Sequence, residues 1–189
     1  MIKFPTSFKH IAAATSVVVM FSLPAFSQEA DLRDESALLE RLARADAREA
    51  IHLDRQLRRL WSQSGSPAMD LLLERGREAM EEDDTRTAIE HLTALTDHAP
   101  EFAEGWHARA SAYFSAELYG PALLDLERAL ALNPNNYNAI YGLGAMLETF
   151  GDKKRAYEAY SRVLAIHPHH EEVTKAMERL QPDVEGEAL

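Results

Sequence analysis

The chain has 189 residues, of which 46% are hydrophobic and 27% are charged, and this composition is typical of a folded protein rather than a disordered one. It contains no cysteine, which excludes a disulfide framework, thiol catalysis and cysteine-ligated zinc. The formal net charge of -11 argues against binding to nucleic acid or to anionic lipid, because an acidic surface repels both.

The first 27 residues have the parts of a secretory signal peptide. Lys3 and Lys9 give a positive beginning, and an apolar run over residues 11–23 follows. Ala25 and Ser27 are small residues at the positions that a signal peptidase reads, so cleavage after Ser27 is predicted. Such a signal on a small acidic chain predicts a bacterial protein exported to the periplasm. An uncleaved membrane anchor is the alternative, although the run is short for a span of about 20 residues. No stable membrane insertion is expected after removal of the signal.

Residues 28–68 are predicted to form a helical hairpin and a loop. Two apolar stripes at helical spacing indicate the two helices. The first stripe is Leu38, Leu39, Leu42 and Ala45, and the second is Ile51, Leu53, Leu57, Leu60 and Trp61. Ser, Gly and Pro over residues 62–67 predict the loop. A single long helix that pairs with another chain is the alternative.

Three prolines mark a repeat in the remainder of the chain. Pro100, Pro134 and Pro168 are separated by 34 residues, twice over. Each closes a unit with small and large apolar residues at corresponding places. These are Leu72, Gly76, Ala79, Ala88 and Leu92 in the first unit, Trp106, Ala110, Tyr113, Ala122 and Leu126 in the second, and Ile140, Gly144, Leu147, Ala156 and Tyr160 in the third. The small residues let two helices approach closely, and the proline stops the second helix. Gly151 and Asp152 predict the turn within the last unit.

This pattern resembles the tetratricopeptide-repeat family, in particular its small exported bacterial members. The resemblance implies an all-α fold, an α-solenoid of tandem helix–turn–helix repeats over residues 69–102, 103–136 and 137–170. Arg75 and Arg109 depart from the leucine that the family has at this place, and Ala79 is small where an aromatic residue is usual.

The flanking segments are interpreted from the same resemblance. Residues 28–68 are expected to be a degenerate repeat that packs on the first unit. Residues 171–189 are expected to form a capping helix and an acidic tail, with the helix ending at Leu180 and a frayed tail from Gln181. The apolar face of the capping helix is Val173, Ala176, Met177 and Leu180.

The resemblance also implies a concave groove that is lined by the first helix of each unit and takes a peptide or helix of a partner protein. The expected groove residues are Leu73, Arg77, Met80, His107, Ser111, Phe114, Asn138, Tyr141 and Glu148, with Asp70, Glu104 and Ala145 at further inward positions. Some members of the family hold the carboxylate of heat-shock chaperones with a clamp of Lys, Asn and Arg. The aligned residues here are Leu73, Arg77, Ala108, Asn138 and Gly142, of which only Arg77 is cationic, so the clamp is missing.

No nucleophile motif, phosphate-binding loop or paired zinc motif occurs, so neither catalysis nor a cofactor is predicted. His167, His169 and His170 precede two glutamates, and metal binding at this turn is a minor alternative to a polar turn with an acidic helix start. The leading prediction is an exported scaffold for protein–protein interaction, extended to cell-envelope assembly. Structural self-association is the second prediction, and the sequence leaves the oligomeric state open.

Overall fold

The computed structural model describes the backbone of residues 25–186 and the side chains of residues 34–186. Helices are the only regular elements within this range. They are α1 (Ala25–Leu42), α2 (Ala47–Trp61), α3 (Pro67–Glu81), α4 (Thr85–His98), α5 (Ala103–Ser115), α6 (Tyr119–Leu132), α7 (Tyr137–Thr149), α8 (Lys153–Ile166) and α9 (Glu171–Gly186). The predicted signal segment lies outside the described residues up to residue 24, and residues 25–27 are the beginning of α1. None of the described helices is long and apolar enough to cross a membrane.

Helices α3 to α8 form three antiparallel hairpins that stack in chain order. The second helices of the hairpins begin at Thr85, Tyr119 and Lys153, which preserves the 34-residue period of the prolines. Neighbouring hairpins share buried apolar side chains, as when Leu95 of one unit packs with Ala108 of the next. The prediction of an all-α solenoid of helical repeats is therefore confirmed.

The small residues of the repeat lie where the two helices of a hairpin approach each other most closely. A Cβ atom built on Gly144 would lie 2.5 Å from Cε1 of the buried Tyr160 ring, and one on Gly76 would lie 2.5 Å from Cγ of Leu92. These distances are too short for van der Waals contact. Glycine is thus required at both places by the packing between helices rather than by the backbone.

The turn predicted in the third unit is present. Gly151 has a φ of 79°, in the left-handed region that favours glycine, and the Asp152 carboxylate accepts a hydrogen bond from the Arg155 backbone N–H at 3.1 Å. Asp83 and Glu117 occupy the corresponding turns with a φ of 59°. The three turns therefore share one backbone form, although only the third has glycine.

The last helix continues beyond its predicted end. Val173, Ala176 and Leu180 are buried against the third unit, but α9 runs on to Gly186. Beyond Leu180, the Lys153 ammonium contacts the Asp183 carboxylate at 2.7 Å. The prediction of a frayed tail from Gln181 is therefore wrong for residues 181–186. This segment is polar, so the apolar pattern does not predict it to be helical, and the ion pair with Lys153 stabilises it.

The N-terminal hairpin of α1 and α2 packs on a different neighbour from the one predicted. Its buried side chains share one core with the third unit and with α9. That core includes Leu42, Leu53, Leu57, Trp61, Tyr137, Ile140, Tyr160, Val163, Val173 and Leu180. The hairpin meets the first unit through polar contacts such as that from Arg77 to the Ser62 hydroxyl at 2.9 Å. The expectation that it packs on the first unit is wrong, since an apolar stripe shows which face is buried but not which surface buries it.

The docking site of the hairpin, which we call its seat, lies along the turns that join one unit to the next. The Asn133 side-chain amide donates to the Glu35 carboxylate at 3.1 Å, and the His169 Nε2–H donates to the Ala45 carbonyl at 3.0 Å. Of the stripe that could pair with another chain, Leu53, Leu57 and Trp61 are buried within the same chain, whereas Ile51 is 59% exposed. The hairpin thus closes one edge of the solenoid.

Candidate functional site

The first helices of the three units line a concave groove with a volume of about 880 Å³. Its wall on the repeats is formed by Arg77, Met80, Glu81, Glu104, His107, Ser111, Phe114, Ser115, Asn138, Tyr141, Gly142 and Ala145. A second wall is formed by Arg58 and Trp61 of α2 together with Ser62, which follows that helix, and it is completed by His170, which precedes α9, and by Glu172 in the first turn of α9. The groove is therefore composed of the repeats together with the N-terminal hairpin.

Most of the groove residues expected from the sequence are at the groove surface. These are Arg77, Met80, His107, Ser111, Phe114, Asn138 and Tyr141, together with the inward positions Glu104 and Ala145. Leu73 is not among them because it is 2% exposed in the core of the first unit. Glu148 is also absent, since its carboxylate accepts hydrogen bonds from Arg179 and from the Tyr160 hydroxyl. Asp70 instead accepts from Ser64.

The groove has an apolar and aromatic floor that continues to the opposite edge of the solenoid. Met80, Phe114 and Tyr141 are half-buried in it. Phe114 packs edge-to-face on Tyr119 with ring centroids 5.5 Å apart, and Tyr119 packs in the same way on Phe150 at 5.3 Å. Phe150 is 59% exposed. The sequence pattern did not predict this row of aromatic rings, because Tyr119 begins the second helix α6 and Phe150 follows the end of α7, so neither lies within a first helix.

A buried carboxylate organises the polar part of the groove. Glu104 is 7% exposed and accepts hydrogen bonds from Arg77 and, at 3.1 Å, from the Asn136 side-chain amide. Its oxygens lie 3.3 Å from His107 Nδ1. Burial by itself raises the pKa of Glu104, but His107, Arg77 and Asn136 outweigh it and the pKa lies below its ordinary value. The Arg77 charge is thus already neutralised inside the protein.

The remaining charges make the groove acidic. Its charged lining consists of two arginines and three glutamates. Besides the Arg77–Glu104 pair, Arg58 Nε donates to the Asp54 carboxylate at 3.0 Å. Glu81 is exposed and forms no ion pair within residues 34–186, and Glu172 is exposed beside His170. Two carboxylates at different ends of the groove therefore face solvent, while both arginines already pair with carboxylates of the same chain.

The departure of Arg109 from the family pattern is compensated on the neighbouring helix. Arg109 Nε and one terminal nitrogen contact the two oxygens of Asp125 at 2.7 and 2.9 Å. The guanidinium also lies 4.9 Å from the centre of the Trp106 ring. Trp106 itself is half-buried, with its Nε1–H donating to the Pro100 carbonyl. Trp61, in contrast, is 8% exposed.

The three histidines of the last turn point to different surroundings. His167 and His170 are buried beneath the hairpin, and His169 contacts the Ala45 carbonyl. Within the described part of the chain no group of three metal-ligating side chains is close enough to hold an ion. The minor metal-binding alternative thus gains no support from this geometry.

Comparison with known proteins finds no matching family model but several similar proteins. A TPR repeat-containing protein of Rhizobium etli is 29% identical over 123 residues, which is 65% of this chain and 60% of that protein. Small glutamine-rich tetratricopeptide repeat-containing protein 2 of Saccharomyces cerevisiae is 30% identical over 118 residues, 62% of this chain and 33% of that protein. The chain thus corresponds to less than two thirds of either relative.

Solved structures with the same architecture include two tetratricopeptide domains. The first TPR of Spaghetti (RPAP3), bound to the HSP90 peptide SRMEEVD, has a TM-score of 0.60 at 27% identity and covers 63% of this chain and 94% of that one. The Sgt2 TPR domain of Aspergillus fumigatus has a TM-score of 0.59 at 25% identity and covers 64% of this chain and 81% of that one.

Proposed function

Because the chain belongs to the tetratricopeptide-repeat family, we propose that it is a non-catalytic scaffold that binds a segment of a partner protein in its concave groove. The observation that carries the proposal is the continuous groove of about 880 Å³, to which all three units contribute side chains. The Spaghetti (RPAP3) domain, which is bound to an HSP90 peptide, supports the same general role. The aromatic floor is suited to apolar anchor residues of a partner.

The charges of the groove favour a partner segment with basic residues beside its apolar anchors. Glu81 and Glu172 are the exposed carboxylates, while Arg58 and Arg77 already contact carboxylates of the same chain. A cationic segment interacts favourably with the carboxylates of Glu81 and Glu172, and the net charge of -11 attracts it at long range. An acidic peptide must compete with Asp54 and Glu104 for the two arginines, so the acidic peptide SRMEEVD is expected to bind weakly.

A Ser111→Arg substitution is expected to weaken partner binding at least tenfold, because a long side chain at this exposed position fills the centre of the groove. Peptides are first selected from a displayed random library by binding to the unmodified protein. Their affinities for the unmodified protein and for the variant are then measured by calorimetric titration, with SRMEEVD as the acidic comparator. Leu124→Arg is the matched control, since it adds the same charge at a residue that is 66% exposed and lies outside the groove lining.

Two outcomes of this titration would contradict the proposal. Equal loss of affinity in both arginine variants would mean that charge, and not the groove, decides binding. Selection of acidic rather than basic apolar peptides would overturn the partner chemistry while leaving the groove as the binding site.

We also propose that the scaffold is exported and acts in the cell envelope. The signal-like segment before Gln28 supports export, and the absence of cysteine suits an oxidising compartment. The expected result is that the native protein begins at Gln28, as measured by mass spectrometry of its N-terminal peptide. A native chain that begins at Met1 would contradict cleavage and favour the anchor, and recovery from the cytosolic fraction would contradict export.

A further inference from the structure

Two buried imidazoles lie beneath the seat of the N-terminal hairpin. His167 and His170 are 7% and 8% exposed and belong to the turn between α8 and α9. Their ring centroids are 5.4 Å apart, and the Tyr137 ring lies 5.3 Å from that of His167. On its other side Tyr137 packs against Trp61 at 5.1 Å. The hairpin and the two imidazoles are thus connected by direct ring contacts.

The hydrogen bonding around both rings suits uncharged imidazoles. His167 Nδ1 is buried and has no hydrogen-bond partner within the described residues. His170 Nδ1 lies 3.5 Å from the Val173 backbone N–H at the beginning of α9, where the unprotonated nitrogen is the acceptor. Protonation of His167 would bury a charged ring whose Nδ1 has no acceptor. Protonation of His170 at Nδ1 would place its N–H against the Val173 backbone N–H, where two donors oppose each other.

The charged groups around the pair do not compensate for two additional protons. From α2, Asp54 and Arg58 face both imidazoles, but Asp54 already accepts hydrogen bonds from Arg58 and from the Tyr137 hydroxyl. From the turn itself, His169 adds a further basic group near His167.

From the first turn of α9, the Glu172 carboxylate lies 3.3 Å from His170 Nδ1, but its side chain is 68% exposed and therefore screened. From α7, Tyr137 and Tyr141 pack on the pair with their rings and contribute no carboxylate. Protonation of both histidines therefore places like charges together in a region where the nearest partly buried carboxylate, that of Asp54, is already paired.

We propose that the α1–α2 hairpin is an acid-released gate of the groove: protonation of His167 and His170 undocks it from the third unit. Undocking exposes the imidazoles to water and removes the wall formed by Arg58, Trp61 and Ser62. The short loop at residues 62–66 keeps the hairpin tethered to α3. The gate does not depend on the identity of a partner and is tested without one.

The pH window follows from the direction of the shifts. Burial lowers the pKa of both imidazoles below the ordinary value of 6.5, and the neighbouring basic groups add to this for His167. The undocked state therefore binds more protons than the docked state, so docking is complete above pH 6.5 and is lost as the pH falls below it. Each histidine that takes up a proton changes the equilibrium by up to about tenfold per pH unit. The Glu104 carboxylate titrates in a separate window below its ordinary pKa of 4.5.

The test uses the full mature chain with Trp106→Phe, which leaves Trp61 as the single tryptophan. As the pH is lowered from about 8 to about 5.5, Trp61 emission is expected to shift to longer wavelength because the ring enters water. Far-ultraviolet circular dichroism is expected to retain the signal of the repeats. In the same background, His167→Phe/His170→Asn is expected to abolish the shift, since Phe keeps the ring contact and Asn keeps a capping acceptor.

His98→Asn is the matched control, because it removes an exposed histidine far from the hairpin in sequence and leaves the seat intact. If the double variant does not fold, the single variant His170→Asn is used instead. It is expected to halve the steepness with which Trp61 emission changes with pH. The gate is overturned by constant Trp61 emission down to about pH 5.5. An unchanged transition in the folded histidine variants would also overturn it, because the histidines would not be the cause. Loss of helicity together with the emission shift would overturn it as well, because the whole protein would then be unfolding.

Discussion

An Asp125→Ala substitution is expected to lower the free energy of unfolding by about 3–5 kcal/mol. The Asp125 and Arg109 side chains are 6% and 12% exposed, and the carboxylate is held by two parallel hydrogen bonds. Removing Asp125 leaves the guanidinium largely buried, with the Thr96 hydroxyl at 2.7 Å as its remaining hydrogen-bond partner among the described residues. A buried cation without its counter-charge cannot recover its lost hydration. Urea unfolding followed by circular dichroism measures the difference.

Two further variants show whether the buried charge is the cause. Arg109→Leu/Asp125→Leu replaces both partners with apolar side chains, and its stability is expected to lie within about 1 kcal/mol of the original or above it. Glu101→Ala breaks the exposed contact from Arg128 to Glu101, and it is expected to cost less than about 1 kcal/mol. If the double variant is as unstable as Asp125→Ala, the loss comes from shape and packing rather than from the unpaired arginine.

A Trp61→Ala substitution is expected to release the N-terminal hairpin while the repeats stay folded. The Trp61 ring is 8% exposed, packs on Tyr137, and donates its Nε1–H to the Glu35 carboxylate at 2.8 Å. Truncating a buried tryptophan costs about 3–5 kcal/mol. Because the hairpin meets the first unit mainly through polar contacts, the loss acts on its docking to the third unit. Hydrogen exchange is expected to accelerate in α1 and α2 and to remain slow in α5 and α6.

Trp61→Phe keeps an aromatic ring in the seat and is the conservative control, expected to retain most of the protection in α2. Trp106→Ala removes the other tryptophan, which is half-buried, so it is expected to leave exchange in the hairpin unchanged. Uniform acceleration of exchange across all helices in Trp61→Ala would contradict local release and would mean that the hairpin and the solenoid unfold together.

The architecture of the repeats could be predicted because its signals are local. Pro100, Pro134 and Pro168 define the period, and the small residues at Gly76 and Gly144 mark where two helices of one unit touch. Gly151 and Asp152 likewise define a turn through their own backbone and side-chain preferences. A helical hairpin is closed by residues near each other in the chain, so its sequence pattern is sufficient to specify it.

The groove was predictable only in part. The resemblance to the tetratricopeptide family gave the inward positions of the first helices, and Phe114 and Tyr141 among them lie in the groove. The family pattern does not resolve the boundary between the groove surface and the core, and Leu73 lies on the core side. Glu148 was misplaced because Arg179, which is 31 residues away on α9, draws its carboxylate away from the groove.

The position of the N-terminal hairpin was decided by the tertiary structure alone. The sequence by itself determined that residues of α1 and α2 are helical and have buried stripes. Their partners are distant in the chain: the Asp54–Tyr137 hydrogen bond joins residues 83 apart, and the Glu35–Asn133 bond joins residues 98 apart. A periodic pattern reports burial but carries no information about which distant surface provides it. The second wall of the groove and the buried histidines beneath it therefore emerge only when the chain has folded back on its third unit.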